Sequence, residues 1–323
     1  MFGRRGAIWR LACVGGFVAA IPAFGHLSPL KRFVGTTWSG FDSPYFGSIF
    51  KQLTPENAGK WGSVEPQKGV FHWQALDRMY RLAARRHLLI KEHNLIWGEQ
   101  QPRWVNRRNA KVAVEKWFAA FARRYANRTA LIDVVNEPLQ HPPRYRAGLP
   151  GGSTRWGWVI WCYRLARKDF PHTRLLLNDY NILNSPPTAR IYASLVRRLK
   201  SLRLIDGVGC QAHGLEHTSD RTIRQCLRII ESTGVPVYIS EFDLNWKSSA
   251  RQLAEMQRQF PIFWLDRHVA GITFWDFLQG HTWLPHSYLL LSNGQPRPAL
   301  RWLESYLRLR HYWNGKLYNR LRH

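Results

Sequence analysis

The sequence predicts an α/β fold, a single (β/α)8 TIM barrel, and three observations carry that prediction. Short β-rich apolar runs alternate with amphipathic helical stretches along most of the chain; there are eight such runs; and nearly all of them end in polar or aromatic residues. Strands that read as continuous apolar runs are buried on both faces, as in a parallel sheet wrapped by helices. Eight alternations are the number that closes a barrel. The strand candidates are Phe33–Trp38, Leu53–Trp61, Leu88–Ile96, Leu131–Asn136, Arg174–Asn178, Gly207–Gln211, Val235–Glu241 and Gly271–Trp275. Between them the helical period predicts Gln74–Arg86, Val112–Tyr125, Trp156–Lys168, Thr188–Leu202, Thr222–Glu231 and Arg251–Phe260, with Pro298–Leu309 as the closing helix. No repeat of about 20–50 residues and no Pro/Ser-rich linker interrupts this order.

The polar strand ends are Glu56 and Asn57, His93 and Trp97, Asn136 and Glu137, Asn178 to Tyr180, Gln211 and His213, Glu241, and Trp275. In a barrel these ends converge on one face, where active sites are built.

Composition narrows the function classes. At 323 residues, with 45% hydrophobic and 21% charged side chains, the chain is an ordinary globular length and balance, which excludes a disordered or polytopic membrane protein. Its formal charge is +26 with a pI near 10.7. Such a field favours polyanionic partners. The basic residues are nevertheless spread along the chain, without zinc-finger spacing, an RNP-like run or a basic helix fork, so nucleic acid is not expected as a partner. Sixteen tryptophans suit a sugar cleft, because the apolar C–H faces of pyranose rings lie flat on indole. No metal cluster, P-loop or dinucleotide fingerprint is present, and no cofactor or metal is expected.

Residues 1–25 read as an export signal. Arg4, Arg5 and Arg10 form the positive region, Leu11 to Ala20 the apolar one, and Ala23-Phe24-Gly25 a small-residue cleavage site. An uncleaved N-terminal anchor is the alternative, although the run falls short of the ~20 residues of a spanning helix. The expectation is a periplasmic or secreted protein, monomeric and without stable membrane insertion once the leader is gone, whose residues 26–323 form the barrel. Cys13 belongs to the leader. Cys162, Cys210 and Cys226 are odd in number and irregular in spacing; at most one bridge forms, and buried small hydrophobes is the expected state of all three.

Two strand-terminal glutamates stand out, Glu137 after Leu131-Ile132-Asp133-Val134-Val135-Asn136 and Glu241 after Val237-Tyr238-Ile239-Ser240. On the fourth and seventh strands they face each other across the mouth. Isolated glutamates usually mark solvated surface, but each of these ends an apolar run. Two facing carboxyls are what glycosidic-bond cleavage requires, one to protonate the leaving oxygen and one to attack the anomeric carbon or activate water.

At these residues the sequence resembles glycoside hydrolase family 10, the endo-β-1,4-xylanase family, from about Phe33 to Leu303. Val134-Val135-Asn136-Glu137 is similar to the family's acid/base motif, and Ile239-Ser240-Glu241-Phe242-Asp243 to its nucleophile motif. Thr54-Pro55-Glu56-Asn57 with Lys60-Trp61, His93-Asn94-Leu95-Ile96-Trp97 with Gln100, Asn178-Asp179-Tyr180-Asn181, Gly209-Cys210-Gln211-Ala212-His213, and Gly271-Ile272-Thr273-Phe274-Trp275 with Trp283 resemble further blocks, in the family's order.

The resemblance implies a retaining double displacement, with Glu137 as general acid/base, Glu241 as nucleophile and their carboxyls about 5–5.5 Å apart. It further implies that Asn136 holds the 2-hydroxyl of the sugar at the cleavage point and that His213, with Gln211 nearby, keeps Glu241 ionised. Glu56, Asn57, Lys60, His93, Trp97, Gln100, Trp275 and Trp283 would line the glycone side, and Tyr180 belongs to the substrate-binding set. Trp97, Trp275 and His93 have a second reading as core residues, and Asn-Asp-Tyr-Asn also reads as turn chemistry.

Three departures from the family pattern bear on substrate identity more than on reaction type. A histidine usual after the third-strand tryptophan is replaced by Gly98-Glu99, a second-strand methionine is lost around Ala58-Gly59, and Asp276 stands where glycine follows Trp275. Asp276 is therefore expected to place a carboxylate at the rim of the glycone pocket. The segments Gln140–Ser153 and Leu244–Ala250 are short, leaving little room for elaborate aglycone subsites. The leading expectation is hydrolysis of β-1,4-xylosidic bonds in xylan. The alternatives are the same chemistry on another β-linked or acidic polysaccharide, or a catalytically weak carbohydrate-binding barrel.

Overall fold

The computed structural model describes residues 30–308. The leader and Cys13 lie outside the described residues.

Eight parallel strands close in sequence order: β1 (Phe33–Trp38), β2 (Gln52–Pro55), β3 (Leu89–Ile96), β4 (Leu131–Asn136), β5 (Arg174–Asp179), β6 (Gly207–Cys210), β7 (Val237–Phe242) and β8 (Val269–Phe274), with β8 pairing back onto β1. The expected (β/α)8 barrel is the fold. The helices between them show why the sequence periodicity was readable. In Asp220–Glu231 the buried residues are Ile223, Cys226, Leu227 and Ile230, a stripe at i, i+3, i+4 and i+7, and the Ser219 side chain caps the helix by accepting from the Thr222 N–H. Residues 298–308 are helical at the end of the described chain. No helix among the described residues is long and apolar enough to cross a membrane.

Two boundaries differ from expectation. The second strand stops at Pro55, and Trp61 instead opens a short helix, Trp61–Val64. Trp61 is apolar because it stacks on Trp117 at 5.8 Å, behind the barrel wall rather than in the sheet. The seventh helix runs Ser249–Trp264, straight through Pro261. The carbonyl deprived of its partner there belongs to Gln257, on the exposed face of the helix.

The barrel interior changes character along its axis. Phe33, Leu131, Leu176 and Tyr238 pack together at the N-terminal end of the strands. Further up, the interior turns polar: Thr273 donates to Gln52 at 2.8 Å, Lys91 contacts Asp133 at 2.6 Å, and the Ser240 hydroxyl donates to Asn178 at 2.5 Å. Asn178 fits because its register partner is Gly209, where a Cβ would lie 2.3 Å from the Asn178 oxygen. A closed apolar base thus supports a buried polar layer, and the mouth stands on that layer. Cys162, Cys210 and Cys226 are all free and buried.

Candidate active site

Glu137 and Glu241 end up on opposite sides of the mouth, both buried. Each is gripped on both oxygens, by different chemistry. Glu241 Oε2 lies 3.1 Å from His213 Nε2, and its Oε1 accepts from Asn178 Nδ2 at 2.6 Å with His93 Nδ1 3.8 Å away. His213 is itself held by Asp243, Nδ1 to Oδ2 at 2.6 Å. Burial alone would push the Glu241 carboxyl up, but the His93 imidazole, the His213 hydrogen bond and charge, and Lys91 overcome it and bring the pKa down to about 2. Burial works against the His213 imidazolium as well; the charges of Asp243 and Glu241 and the hydrogen bonds to them outweigh it and raise its pKa to about 10. Glu241 is a carboxylate fixed by a cation.

Glu137 sits among neutral donors. Gln211 Nε2 reaches its Oε1 at 2.9 Å and Asn136 Nδ2 at 3.3 Å, while Trp97 Nε1 donates to Oε2 at 2.8 Å. The fourth contact, His141 Nδ1 to Oε2 at 2.6 Å, comes from a residue the sequence reading passed over. Asn136 and Asn178 bridge the two carboxyls: Asn178 Nδ2 donates both to Asn136 Oδ1 at 2.8 Å and to Glu241.

The remaining candidates ring this pair. Lys60 Nζ lies 4.8 Å over the Trp97 ring and donates to Asn57 Oδ1 at 3.0 Å; Gln100 donates to the same oxygen at 3.1 Å, and Asn57 donates to Glu56 at 2.7 Å. Trp275 is buried edge-on against His93 at 4.9 Å, so it forms the floor, whereas Trp283 is half exposed, packs on His213 at 4.7 Å and donates its indole N–H to Asp243 at 3.0 Å. Tyr180 stands on the far side, stacked on His141 at 5.6 Å. Beyond Trp283 a cavity of about 420 Å³ continues the cleft between Trp38, Glu56, Asn57, Arg78 and His281.

Apart from Asp276, the residues singled out from the sequence for this site lie at the mouth. The supports are Asn178 and Asp243, which the sequence reading quoted in its motifs without a role, and Asp133 and His141, to which it gave no part in the site. Asp133 accepts from both Lys91 and His93, and its signal was present in the sequence as a lysine and an aspartate inside two apolar strand runs. Asp276 needs a correction. It is buried beneath the rim, accepts from the Thr37 hydroxyl at 2.7 Å and from the Trp283 backbone N–H at 2.8 Å, and does not line the cavity. Burial, then the charge of Glu56, raises its pKa to about 7. Its φ of +69° explains why glycine suits this position, and aspartate is among the side chains that tolerate it. Gln100, Glu137, Asn181 and Ala212 at the mouth also take positive φ, Glu137 at +52°.

Comparison with known proteins places this constellation. The model of glycosyl hydrolase family 10 matches residues 36–306. The chain belongs to glycosyl hydrolase family 10. It is 37% identical over 278 residues to endo-1,4-beta-xylanase B of Cellvibrio japonicus, a match covering 84% of this chain and 45% of that protein, so the chain spans less than half of that relative's length. An endo-1,4-beta-xylanase of Agaricus bisporus is 28% identical over 79% of this chain and 83% of its own. Among solved structures, an intracellular xylanase of Thermoanaerobacterium saccharolyticum in complex with xylotetraose superposes with a TM-score of 0.76 at 22% identity, covering 85% of this chain and 95% of that one. Xylanase 10B of Thermotoga maritima gives 0.74 at 21% identity, over 85% of this chain and 95% of that one. At these identities the superpositions speak for the barrel.

Proposed function

We propose that this protein is a retaining, endo-acting hydrolase of β-1,4-xylosidic bonds in xylan. The observation that carries the reading is the unequal hold on two facing carboxyls: Glu241 is kept ionised by His93 and His213, and Glu137 is held by the N–H groups of Gln211, Asn136 and Trp97 and by His141. Glu241 attacks the anomeric carbon while Glu137 gives its proton to the glycosidic oxygen and the C–O bond breaks. Water then attacks the glycosyl ester, its proton passes to Glu137, and the sugar leaves with its β configuration restored. The 3.3 Å contact leaves Asn136 Nδ2 able to strengthen a bond to the 2-hydroxyl as the transition state forms. Lys60, Asn57, Glu56, Gln100, Trp275 and Trp283 hold the glycone, and Tyr180 supports the aglycone.

The test is incubation with xylan, followed by chromatography of the products and NMR of the first anomer released. Short xylo-oligosaccharides appearing first in the β form support the proposal. No soluble oligosaccharide from xylan, or α-anomers first, would refute it. A second reading, preference for uronic-acid-bearing xylan, is favoured by the charge of +26 and by exposed Arg78 on the cavity wall. It requires that activity on acidic xylan exceed that on neutral xylan at low salt and that the gap close as salt is added. Export through residues 1–25 is part of the same proposal; N-terminal sequencing of the cell-surface, periplasmic or medium fraction tests it.

A further inference from the structure

The shell around Glu137 leaves its acid proton only one acceptor. A carboxylate offers about four lone-pair sites on two oxygens, and four nitrogens reach them here: Gln211 Nε2, Asn136 Nδ2, Trp97 Nε1 and His141 Nδ1. The two amide orientations are fixed by their other bonds. Asn136 Oδ1 accepts from Asn178 Nδ2 at 2.8 Å and from Gln211 Nε2 at 3.3 Å, so the amino group of each amide faces Glu137. Indole and amide N–H groups give hydrogen bonds and cannot take one. Imidazole Nδ1 does either, according to its protonation.

The path that brings His141 there begins on another strand. Gly98 directly follows Trp97 in the segment after β3. A Cβ on Gly98 would lie 2.1 Å from the His141 carbonyl oxygen and 2.9 Å from that of Pro142. The missing side chain lets the segment after β4 fold in, the His141 N–H closes a turn onto the Glu137 carbonyl at 2.8 Å, and the ring stacks on Tyr180.

The geometry points to His141 as a positioning residue for the acid step, one whose Nδ1 shares the acid proton of Glu137 across the 2.6 Å contact. This rests on the reading of Glu137 as acid/base. In the resting enzyme the carboxyl O–H on Oε2 is accepted by Nδ1. When the glycosidic oxygen arrives, the Oε2–H bond breaks toward it and the leaving sugar carries that proton away. Water restores the proton to Oε2 in the second step, so the cycle is balanced. His141 is 42% exposed in its side chain, which leaves it room to yield Oε2 to the substrate.

The other ionisable groups facing the pair are Lys60, Asp179, Tyr180 and Glu241. Burial pushes Asp179 and Tyr180 up and Lys60 down, and Glu241, at about 2, stays ionised at any working pH.

The experiment compares wild type with His141→Asn, which puts a permanent donor near the Nδ1 position, and His141→Phe, which keeps a ring on Tyr180. For each, the pH profile of kcat/KM is recorded on xylotetraose and on a dinitrophenyl xylobioside, whose leaving group needs no proton. On xylotetraose the alkaline limb of the profile changes shape in both variants, because the second holder of the proton is gone. Their kcat/KM on xylotetraose drops about ten-fold and that on the dinitrophenyl substrate by less than about two-fold. A profile of unchanged shape, or equal losses on both substrates, overturns the inference. An inactive wild type would overturn the reading of function instead, so the two failures are distinct.

Discussion

The two sides of the barrel mouth hold their carboxyls in opposite ways. Glu241, on β7, is tied into a chain of charges, Asp243 to His213 to Glu241, with His93 and Lys91 of β3 and Asp133 of β4 behind it. Glu137, after β4, meets indole, two amides and one imidazole. A nucleophile must remain ionised in every step, so a fixed cation beside it serves. A group that alternates between acid and base cannot be tied to one, because a permanent cation would hold it as a carboxylate. The barrel resolves this by aiming its buried charges at Glu241 and surrounding Glu137 with amide and indole N–H groups and one imidazole.

The sharpest way to break that contrast is to remove each carboxyl in turn. Glu241→Ala is expected to lower turnover by about 10⁴-fold or more on every substrate, since no glycosyl ester forms. Added azide, attacking once, gives the α-glycosyl azide; a β-azide from this variant, identified by NMR, would reverse the assignment. Glu137→Ala should lose about 10²–10⁴-fold on xylan and far less on an activated aryl glycoside. Azide then accelerates release of the trapped intermediate as the β-glycosyl azide, and full activity on polymer would end the acid/base role.

His213→Asn tests the charged side alone. Without the imidazolium, the Glu241 pKa rises from about 2 toward its ordinary 4.5, and the acidic limb of kcat/KM moves up with it. Stability carries a second signature. His213 is raised from 6.5 to about 10 in the folded state, so its contribution is fully present below pH 6.5 and is lost as pH rises through 10. The wild-type melting temperature should therefore decline across that window, and the variant should decline less; parallel curves would contradict the ion pair.

The smallest effect belongs to Asp276. Its carboxyl, raised from 3.8 to about 7, stabilises fully below pH 3.8 and ceases to as pH rises through 7. Asp276→Gly keeps a backbone suited to φ of +69° and loses the tether to Trp283, a bond worth about 1 kcal/mol. Longer xylo-oligosaccharides should show KM raised about five-fold with kcat unchanged. An unchanged KM across chain lengths would place Trp283 off the substrate's path.

The barrel was legible because parallel strands covered on both faces are written as apolar runs, and the site because its residues cluster where those runs stop. What escaped was set by contacts between elements. Trp61 reads as strand because it is apolar, yet its partner is a helix tryptophan. Asp276 reads as a rim carboxylate until Thr37, on a strand at the other end of the sequence, takes its oxygen. His141 follows Glu137 by four residues in a loop, and nothing local aims its ring; the glycine that lets it in belongs to the segment after β3.

Of the seven non-glycine residues with positive φ among the described residues, Gln100, Glu137, Asn181, Ala212 and Asp276 all lie at the mouth. At Gln100, Glu137 and Ala212 such backbone costs about 1–3 kcal/mol per residue and persists only where its surroundings enforce it, whereas asparagine and aspartate tolerate it. Heat tolerance and catalysis are therefore set against each other along this one edge of the barrel. A lineage drifting under selection for survival at high temperature alone would relax these positions early, toward glycine or asparagine, and would blunt its own chemistry while the strands beneath stayed intact.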